Sequence, residues 1–415
     1  MKTSCDTAAL APPPGCAATR SSTLSRSAVM LFSCASGLSV ANVYYAQPLL
    51  DALMLDFSIS PAAVGGVITA TQVGCALALL LLVPLGDLVE RRRLMLAQVL
   101  ALALALAAVA LAPTVTVLLA AMLLTGMLGT AMTQGLIAYA ASAAADHERG
   151  RVVGAAQGGV FIGLLLARVV AGAVSDMAGW RSVYFCSAAA MLVLALLLWR
   201  ALPAVAGARQ RMRYASLIVS MFQLLRRDRV LQVRGTIALL MFAAFNIFWS
   251  ALVLPLSAPP YGLSHTAIGA FGLVGAVGAL AAARAGRWAD QGYGQRTTLA
   301  ALALLLVAWL PLSMLGTSLW ALALGIVLLD LGGQAIHVTN QSMIFRTQPE
   351  AHSRLVGVYM LFYAAGSGLG AIATTAVYAA VGWPGVCMLG AGVSLLALVF
   401  WAATSPNEWP RPRKP

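Results

Sequence analysis

Twelve long apolar runs dominate the chain and leave few folds open to it. They cover 28 to 50, 61 to 83, 94 to 112, 115 to 140, 152 to 174 and 182 to 202 in the first half. After a more polar centre they resume at 234 to 257, 265 to 285, 297 to 316, 319 to 344, 355 to 379 and 384 to 403. A helix needs about 20 apolar residues to cross the hydrocarbon core of a bilayer. Within lipid every backbone polar group must be paired inside the structure, so only helices and closed barrels can cross. These runs are too long and too uniformly apolar for barrel strands, which alternate over about ten residues. The reading is an all-α membrane protein with twelve transmembrane helices. Composition agrees: 61% of the 415 residues are hydrophobic and 9% are charged, too few charges to coat a soluble protein of this size.

The net charge of +13 raises the question of a nucleic-acid partner, and the placement of the charges answers it. With twelve spans and both ends on the inner side, all but two of the 26 Lys and Arg residues fall in inner segments. These are Lys2, Arg20 and Arg26, the cluster Arg91, Arg92 and Arg93, the pair Arg149 and Arg151, and eight arginines between Arg200 and Arg234. Arg284, Arg287, Arg296, Arg346 and Arg354 follow, and then Arg411, Arg413 and Lys414. Only Arg181 falls in an outer loop, and only Arg168 falls deep in a span. This asymmetry is the positive-inside rule. It predicts a multi-pass protein of a bacterial-type inner (plasma) membrane, with both termini cytoplasmic and no nucleic acid involved. The six cysteines are scattered without metal or disulfide spacing, so neither a metal nor a cofactor is expected. Residues 1 to 27 lack a continuous apolar core and are read as a disordered cytoplasmic tail rather than a cleaved signal peptide.

The chain also matches itself at one register. Asp87 recurs as Asp290, 203 residues later, and Arg93 with Arg296, Gly129 with Gly332 and Arg151 with Arg354 share that offset. So do Gly154 with Gly357, and Gly179-Trp180 with Gly382-Trp383. Six helices per half is an even number, so the halves are parallel repeats, an arrangement in which transporters place their site at the repeat interface near mid-membrane. The expected organisation is a six-helix bundle over 28 to 202, a cytoplasmic linker over 203 to 230, a second bundle over 231 to 404 and a cytoplasmic tail over 405 to 415. In the linker, MRYASLIVSMFQLLRRDRVL suits either a basic amphipathic helix on the inner leaflet or a solvated connection.

The stretch VPLGDLVERRRLM at 83 to 95 resembles the signature loop of the major facilitator superfamily, with Asp87, Arg91 and Arg92 matching it and Val83, Leu88 and Glu90 departing. A second copy, GRWADQGYGQR at 286 to 296, keeps Gly286 and Asp290. A carboxylate and arginines at a tight inner turn can lock two helix bundles in one access state, and rocking must break that contact. Together with the spans and the repeat, the resemblance covers essentially the whole chain and implies the twelve-helix major facilitator fold. Within the superfamily the chain looks most like the drug-and-metabolite efflux branch. It departs by having Met122 where that branch has an arginine, and by lacking the proline of the fifth-span signature while offering Arg168.

The tenth run holds a polar stripe. Asp330, Gln334, His337 and Gln341 fall within about 60° of one another on a helix, and Asn340 lies nearby. Ionisable groups inside a span are costly, face protein or water, and are functional candidates by default. An acid and an imidazole aligned in one helix can both exchange protons near neutral pH, which suggests a proton path through Asp330 and His337; a structural polar network between helices is the alternative. The resemblance implies that spans one, four, seven and ten line a cavity. Asn42 and Tyr45 lie in the first, with Tyr44, Gln47 and Asp51 nearby; Thr130, Gln134 and Tyr139 in the fourth; Asn246, Trp249 and Ser250 in the seventh. Aromatic rings with a few amides suit small amphipathic compounds. Arg168 requires a counter-charge, for which Asp330 and Asp51 are the candidates. It equally suits an anionic substrate group, or a reach toward outer headgroups.

These features point to a secondary active transporter for a small organic molecule, with proton-coupled efflux as the first expectation and proton-coupled uptake of an organic anion as the second. A single copy is expected to suffice. A non-transporting membrane sensor would call for a large extramembrane domain, and a channel would assemble identical subunits around a pore. No nucleotide-binding loop, metal cluster or sensibly placed Ser-His-Asp set supports an enzyme.

Overall fold

In a computed structural model the described residues are 25–144, 148–201, 214–345 and 352–404, and all their regular structure is helical. Of Asp87, 278–283, Asp290, Phe345 and 352–353 the backbone alone is described. The first half comprises α1 (Arg26–Tyr44), α2 (Leu50–Asp56), α3 (Gly65–Leu77), α4 (Arg91–Ala110), α5 (Val115–Ala143), α6 (Arg149–Ala178) and α7 (Trp180–Ala201). A linking helix α8 (Tyr214–Arg227) leads to α9 (Arg229–Ala251), α10 (Val253–Ser257), α11 (His265–Val274), α12 (Ala276–Trp288), α13 (Gly294–Val307) and α14 (Trp309–Ser313). The chain then runs through α15 (Leu319–Phe345), α16 (His352–Val381) and α17 (Trp383–Thr404). Counting helices that continue through short 3₁₀ or π turns, eleven are long and apolar enough to cross a membrane. The eighth run of the sequence, 265 to 285, is the exception: Gly275 separates α11 from α12, so neither piece reaches that length alone. Residues 1–24 and 405–415 lie outside the described residues, and α1 starts at Arg26, inside the stretch expected to be a tail.

Helix starts carry the expected capping chemistry. Thr114 accepts from the Val117 N–H at 3.4 Å, Asp228 from Leu231 at 3.0 Å and Ser264 from Ala267 at 3.2 Å. The repeated Gly-Trp pairs mark two sharp reversals. Gly179 (φ 82°) closes α6 and Gly382 (φ 73°) closes α16, each in a backbone region that side chains disfavour. The tryptophan that follows is then anchored: Trp180 Nε1 donates to Asp56 at 3.1 Å, and Trp383 Nε1 to the Leu312 carbonyl at 2.9 Å.

Successive long helices reverse direction, so the molecule has a terminal end, where α1 begins and α17 stops, and a far end opposite. In the first half α1 packs on α5 and α6, and α4 on α5 and α7; in the second, α9 packs on α16 and α17, and α15 on α12 and α13. The halves touch through α3 against α16 and α6 against α11. Linker helix α8 buries Leu217, Met221 and Leu224, one apolar stripe at i, i+4 and i+7, and the latter two join a small core with Leu231, Leu355, Val358 and Tyr359. It docks on α9 and α16, with Tyr214 donating to the Leu81 carbonyl of the first half at 2.7 Å, while Val219, Phe222, Arg226 and Arg227 stay exposed.

One charge does not follow the inner-loop pattern. Arg234 ends the basic inner segment in sequence, yet α9 begins at Arg229, so Arg234 lies inside the helix and is wholly buried. Its Nη1 donates to Thr298 Oγ1 at 2.9 Å and its carbonyl accepts from Asn340 Nδ2 at 3.2 Å.

Candidate functional site: a cavity between the halves

Between the two halves lies a cavity of about 510 Å³. Helices α1, α3, α5 and α6 line one wall and α9, α15 and α16 the other, with the α11–α12 break reaching in through Gly272 and Gly275. The polar stripe of α15 faces it: Asp330, Gln334, His337 and Gln341 all line the cavity. So do Gln134, Asn246, Trp249 and Arg168, together with the rings of Tyr44, Phe161, Phe242, Phe245 and Tyr363. Toward the terminal end the lining continues to Ile137, Gln157, Val356 and Gln341. Beyond Arg168, at the far end, the space between Gln47, Pro48, Leu252, Val253 and Ile268 shrinks to about 10 Å³.

A hydrogen-bonded row forms the ceiling. Arg168 Nε donates to Gln47 Oε1 at 2.8 Å, Gln47 Nε2 to Asn246 Oδ1 at 3.3 Å, and Asn246 Nδ2 to Ser367 Oγ at 2.9 Å. The row starts on α6, passes the short turn Gln47–Leu49 after α1, and ends on α16, so it ties the halves together. Tyr44 and Tyr363 join them again through their hydroxyls. Arg168 is 3% exposed, and its guanidinium carbon sits 4.1 Å from the Trp249 ring centroid and 5.5 Å from that of Tyr44. Stacked arginine of this kind gains cation–π attraction, which grows as water is excluded.

Arg168 and Asp330 reach the same break in the eighth run. A methyl on Gly272 would stand 3.4 Å from Arg168 Cδ, and one on Gly275 would overlap the Asp330 carboxylate, which it would meet at 3.0 Å from Cγ. Gly275 thus makes room for the acid. Asp330 is 5% exposed; its Oδ2 and the Nη2 of Arg168 have no hydrogen-bond partner among the described residues, and no ion pair joins the two side chains. Asp51, the other candidate counter-charge, stands 3.0 Å from His265 instead. The buried cation is accommodated by an amide acceptor and two ring faces rather than by a contacting carboxylate.

His337 has both nitrogens engaged. Nδ1 stands 3.0 Å from the Tyr359 hydroxyl and Nε2 3.3 Å from Gln341 Nε2, with the Phe242 ring edge-on at 5.4 Å. Since an amide nitrogen only donates, Nε2 accepts and the ring proton lies on Nδ1.

Three expected site residues lie elsewhere. Asn42 is turned into the first half, where Oδ1 accepts from Ser187 Oγ at 2.5 Å and Nδ2 donates to the Leu38 carbonyl at 2.8 Å. Tyr45 is buried beside it, while its neighbour Tyr44 takes the cavity position. Asn340 falls off the α15 stripe by about a quarter turn at 100° per residue and packs on α9. Of the expected switch loop, Arg91 Nη1 donates to the Ala138 carbonyl at 3.1 Å and Arg92 Nη2 to the Trp199 carbonyl at 2.7 Å, tying α4 to the ends of α5 and α7 within one half. Gly286 lies on α12 against Val338; the side chains of Asp87 and Asp290 lie outside what is described. Gln47, noted beside the first-span positions, joins Tyr363 and Ser367 in completing the ceiling; no repeat or local polar pattern marks the latter two.

Comparison with known proteins agrees with this fold. The family model described as Major Facilitator Superfamily matches residues 32–290 and 235–415. The chain is 40% identical over 378 residues to the putative uncharacterized transporter YgaY of Escherichia coli (strain K12), covering 91% of this chain and 95% of that one. It is 32% identical over 377 residues to the probable transporter SCO4007 of Streptomyces coelicolor, covering 90% and 86%. Among solved structures, a bacterial homologue of the human lysosomal transporter Spinster, inward-facing and unoccupied, superposes with a TM-score of 0.75 at 14% identity, over 93% of this chain and 98% of that one. The chain belongs to the Major Facilitator Superfamily and is a multi-pass membrane transporter.

Proposed function

We propose that the chain carries a small organic anion with a flat apolar body together with a proton, by alternating access between its two halves. The observation that carries this reading is the pair of opposite, uncontacted charges, Arg168 and Asp330, on one cavity. With Asp330 ionised the pair is neutral, and an anion drawn to Arg168 meets the carboxylate as well. A proton on Asp330 leaves one net positive charge, and like charges in a poorly screened cavity interact strongly. Anion and proton therefore assist one another's binding, and an inward proton gradient would drive uptake. The rings of Trp249, Phe242, Phe245 and Tyr44 supply a slot for a flat body, and Gln134, Gln334, Gln341 and Asn246 orient its polar edge. His337 lies nearer the terminal end, one step along the stripe, as the proposed relay for the proton. Asn42, Tyr45 and Asn340 are assigned to helix packing rather than contact with cargo.

The terminal end is assigned to the cytoplasm from the basic segments gathered there, in a bacterial-type inner membrane, and one chain holds the complete site. On that orientation the cavity is the inward-facing one. The loop of Asp87, Arg91 and Arg92, with Gly286 and Asp290 in the second half, is proposed to close that end when the molecule rocks.

Efflux, the first expectation, retains one specific observation: an aromatic cavity with a buried carboxylate also suits an amphipathic cation exchanging for a proton. One experiment separates the readings. Purified protein in proteoliposomes is given an imposed pH gradient and a panel of aromatic acids, neutral aromatics and lipophilic cations. Accumulation of acids with the proton gradient supports the proposal; movement of cations against it, with acids ignored, replaces it by efflux. Asp330→Asn should lower gradient-driven accumulation by about tenfold or more, equal to some 1.4 kcal/mol of lost coupling, while substrate exchange without a gradient persists. Unaltered gradient dependence in that variant removes Asp330 from the coupling role.

A further inference from the structure

At the far end a histidine stands between two carboxylates of the opposite half. His265 opens α11 in the second half; Asp51 comes from α2 and Asp176 from the end of α6, both in the first. Asp176 Oδ1 accepts from the His265 backbone N–H at 3.1 Å and faces its Nδ1 at 2.9 Å. Its Oδ2 accepts from the Thr266 N–H at 2.8 Å and from the Thr266 hydroxyl at 2.6 Å. A carboxylate serving that many donors at a helix N-terminus is held as the anion. Nδ1 must then carry a hydrogen.

The other ring nitrogen faces the second carboxylate. Nε2 lies 3.0 Å from Asp51 Oδ1 and 3.2 Å from Oδ2. A neutral imidazole has one donor, already spent on Asp176, so its lone pair would point at two carboxylate oxygens. The contact is attractive only when one further proton lies between His265 and Asp51. Among the described residues, no other titratable group is bonded to this pair. Helix α11 carries none besides His265. On α2, Asp56 is committed to Arg181 and Trp180. On α6, the Arg168 guanidinium is turned to Gln47 and Trp249. Tyr261, in the connection before α11, donates to the Leu315 carbonyl.

We propose that His265 and Asp51 form a proton-binding latch that holds the far end of the two halves shut. The latch is distinct from the cavity pair Arg168 and Asp330 and does not depend on what the cavity carries. With the proton bound, α11 is fastened to α2 and α6. Without it, the Asp51 contact turns repulsive, and α11 is held to the first half by the capping bonds of Asp176 and its packing on α6. Because the proton is held more tightly with the far end closed than open, closure prevails at low pH and is lost as pH rises.

The test measures the far-end gap in full-length protein without substrate. Spin labels are placed at Thr114→Cys and Thr317→Cys, both exposed far-end positions on opposite halves, with Cys5, Cys16, Cys34 and Cys186 replaced by serine. Between pH 5 and 10 the parent protein should pass from a short to a long distance population as a single-proton transition. Asp51→Asn removes one carboxylate and should move the midpoint down by about one pH unit or more. His265→Gln keeps a donor and similar bulk, and should flatten the curve. A midpoint unmoved in Asp51→Asn, a transition surviving in His265→Gln, or a distance independent of pH in the parent protein overturns the proposal.

Discussion

Arg168 shows how a single charge can be stored in an apolar helix without a contacting counter-ion. Its Nε is engaged by Gln47 and its flat face by Trp249, so geometry rather than charge alone holds it. Arg168→Lys keeps the charge but loses the planar stack and the forked donors. Substrate affinity is expected to drop by about tenfold, or 1.4 kcal/mol, read by binding calorimetry or transport saturation. Gln47→Ala strands both Arg168 and Asn246, and should lower stability by about 1–3 kcal/mol in a thermal or chemical unfolding series. These two outcomes separate recognition from support. Asp330, His337 and Arg168 stood out in the sequence because ionisable groups are conspicuous among apolar neighbours. The pairings of Gln47 with Arg168 and of His265 with Asp51 did not, since the partners lie 121 and 214 positions apart and no local pattern joins them. Asn340 shows the limit of that signal: a polar letter does not say which helix face it occupies.

Helices were the most legible level, because an apolar run of membrane length admits little else. The offset of 203 between Gly-Trp pairs proves to mark two equivalent reversals, α6 to α7 and α16 to α17. Gly179→Ala should destabilise the fold by about 1–3 kcal/mol, because alanine resists that backbone angle, with a matching loss at Gly382. Thermal melts of the two variants would show whether the turns carry equal weight. The run from 265 to 285 is the least regular of the spans: it is interrupted at Gly275, whose own backbone stays right-handed. Across from that break lies the Asp330 carboxylate, where a side chain at Gly275 would stand. Gly275→Ala sets a methyl against that carboxylate and should cost about 1–3 kcal/mol by overpacking. Proton-coupled uptake is expected to suffer more than cargo exchange.

At the scale of the molecule, the far end is drawn together and the cavity extends toward the terminal end. The proposed orientation has a direct check in intact cells. A membrane-impermeant thiol reagent should label Thr317→Cys at the far end, and reach Ala215→Cys on α8 only after the membrane is broken. The reverse pattern would invert every assignment of inside and outside made above. The duplication of the fold adds one more consequence. Gln134 and His337 occupy corresponding positions in the two halves and look into the same cavity, yet one is an amide and the other an imidazole. On the proposed mechanism titration falls to a single module, and its twin carries an amide at that spot. Moving the imidazole across, by Gln134→His with His337→Gln, would ask whether the machine cares which of its two near-copies handles the proton, or only that one of them does.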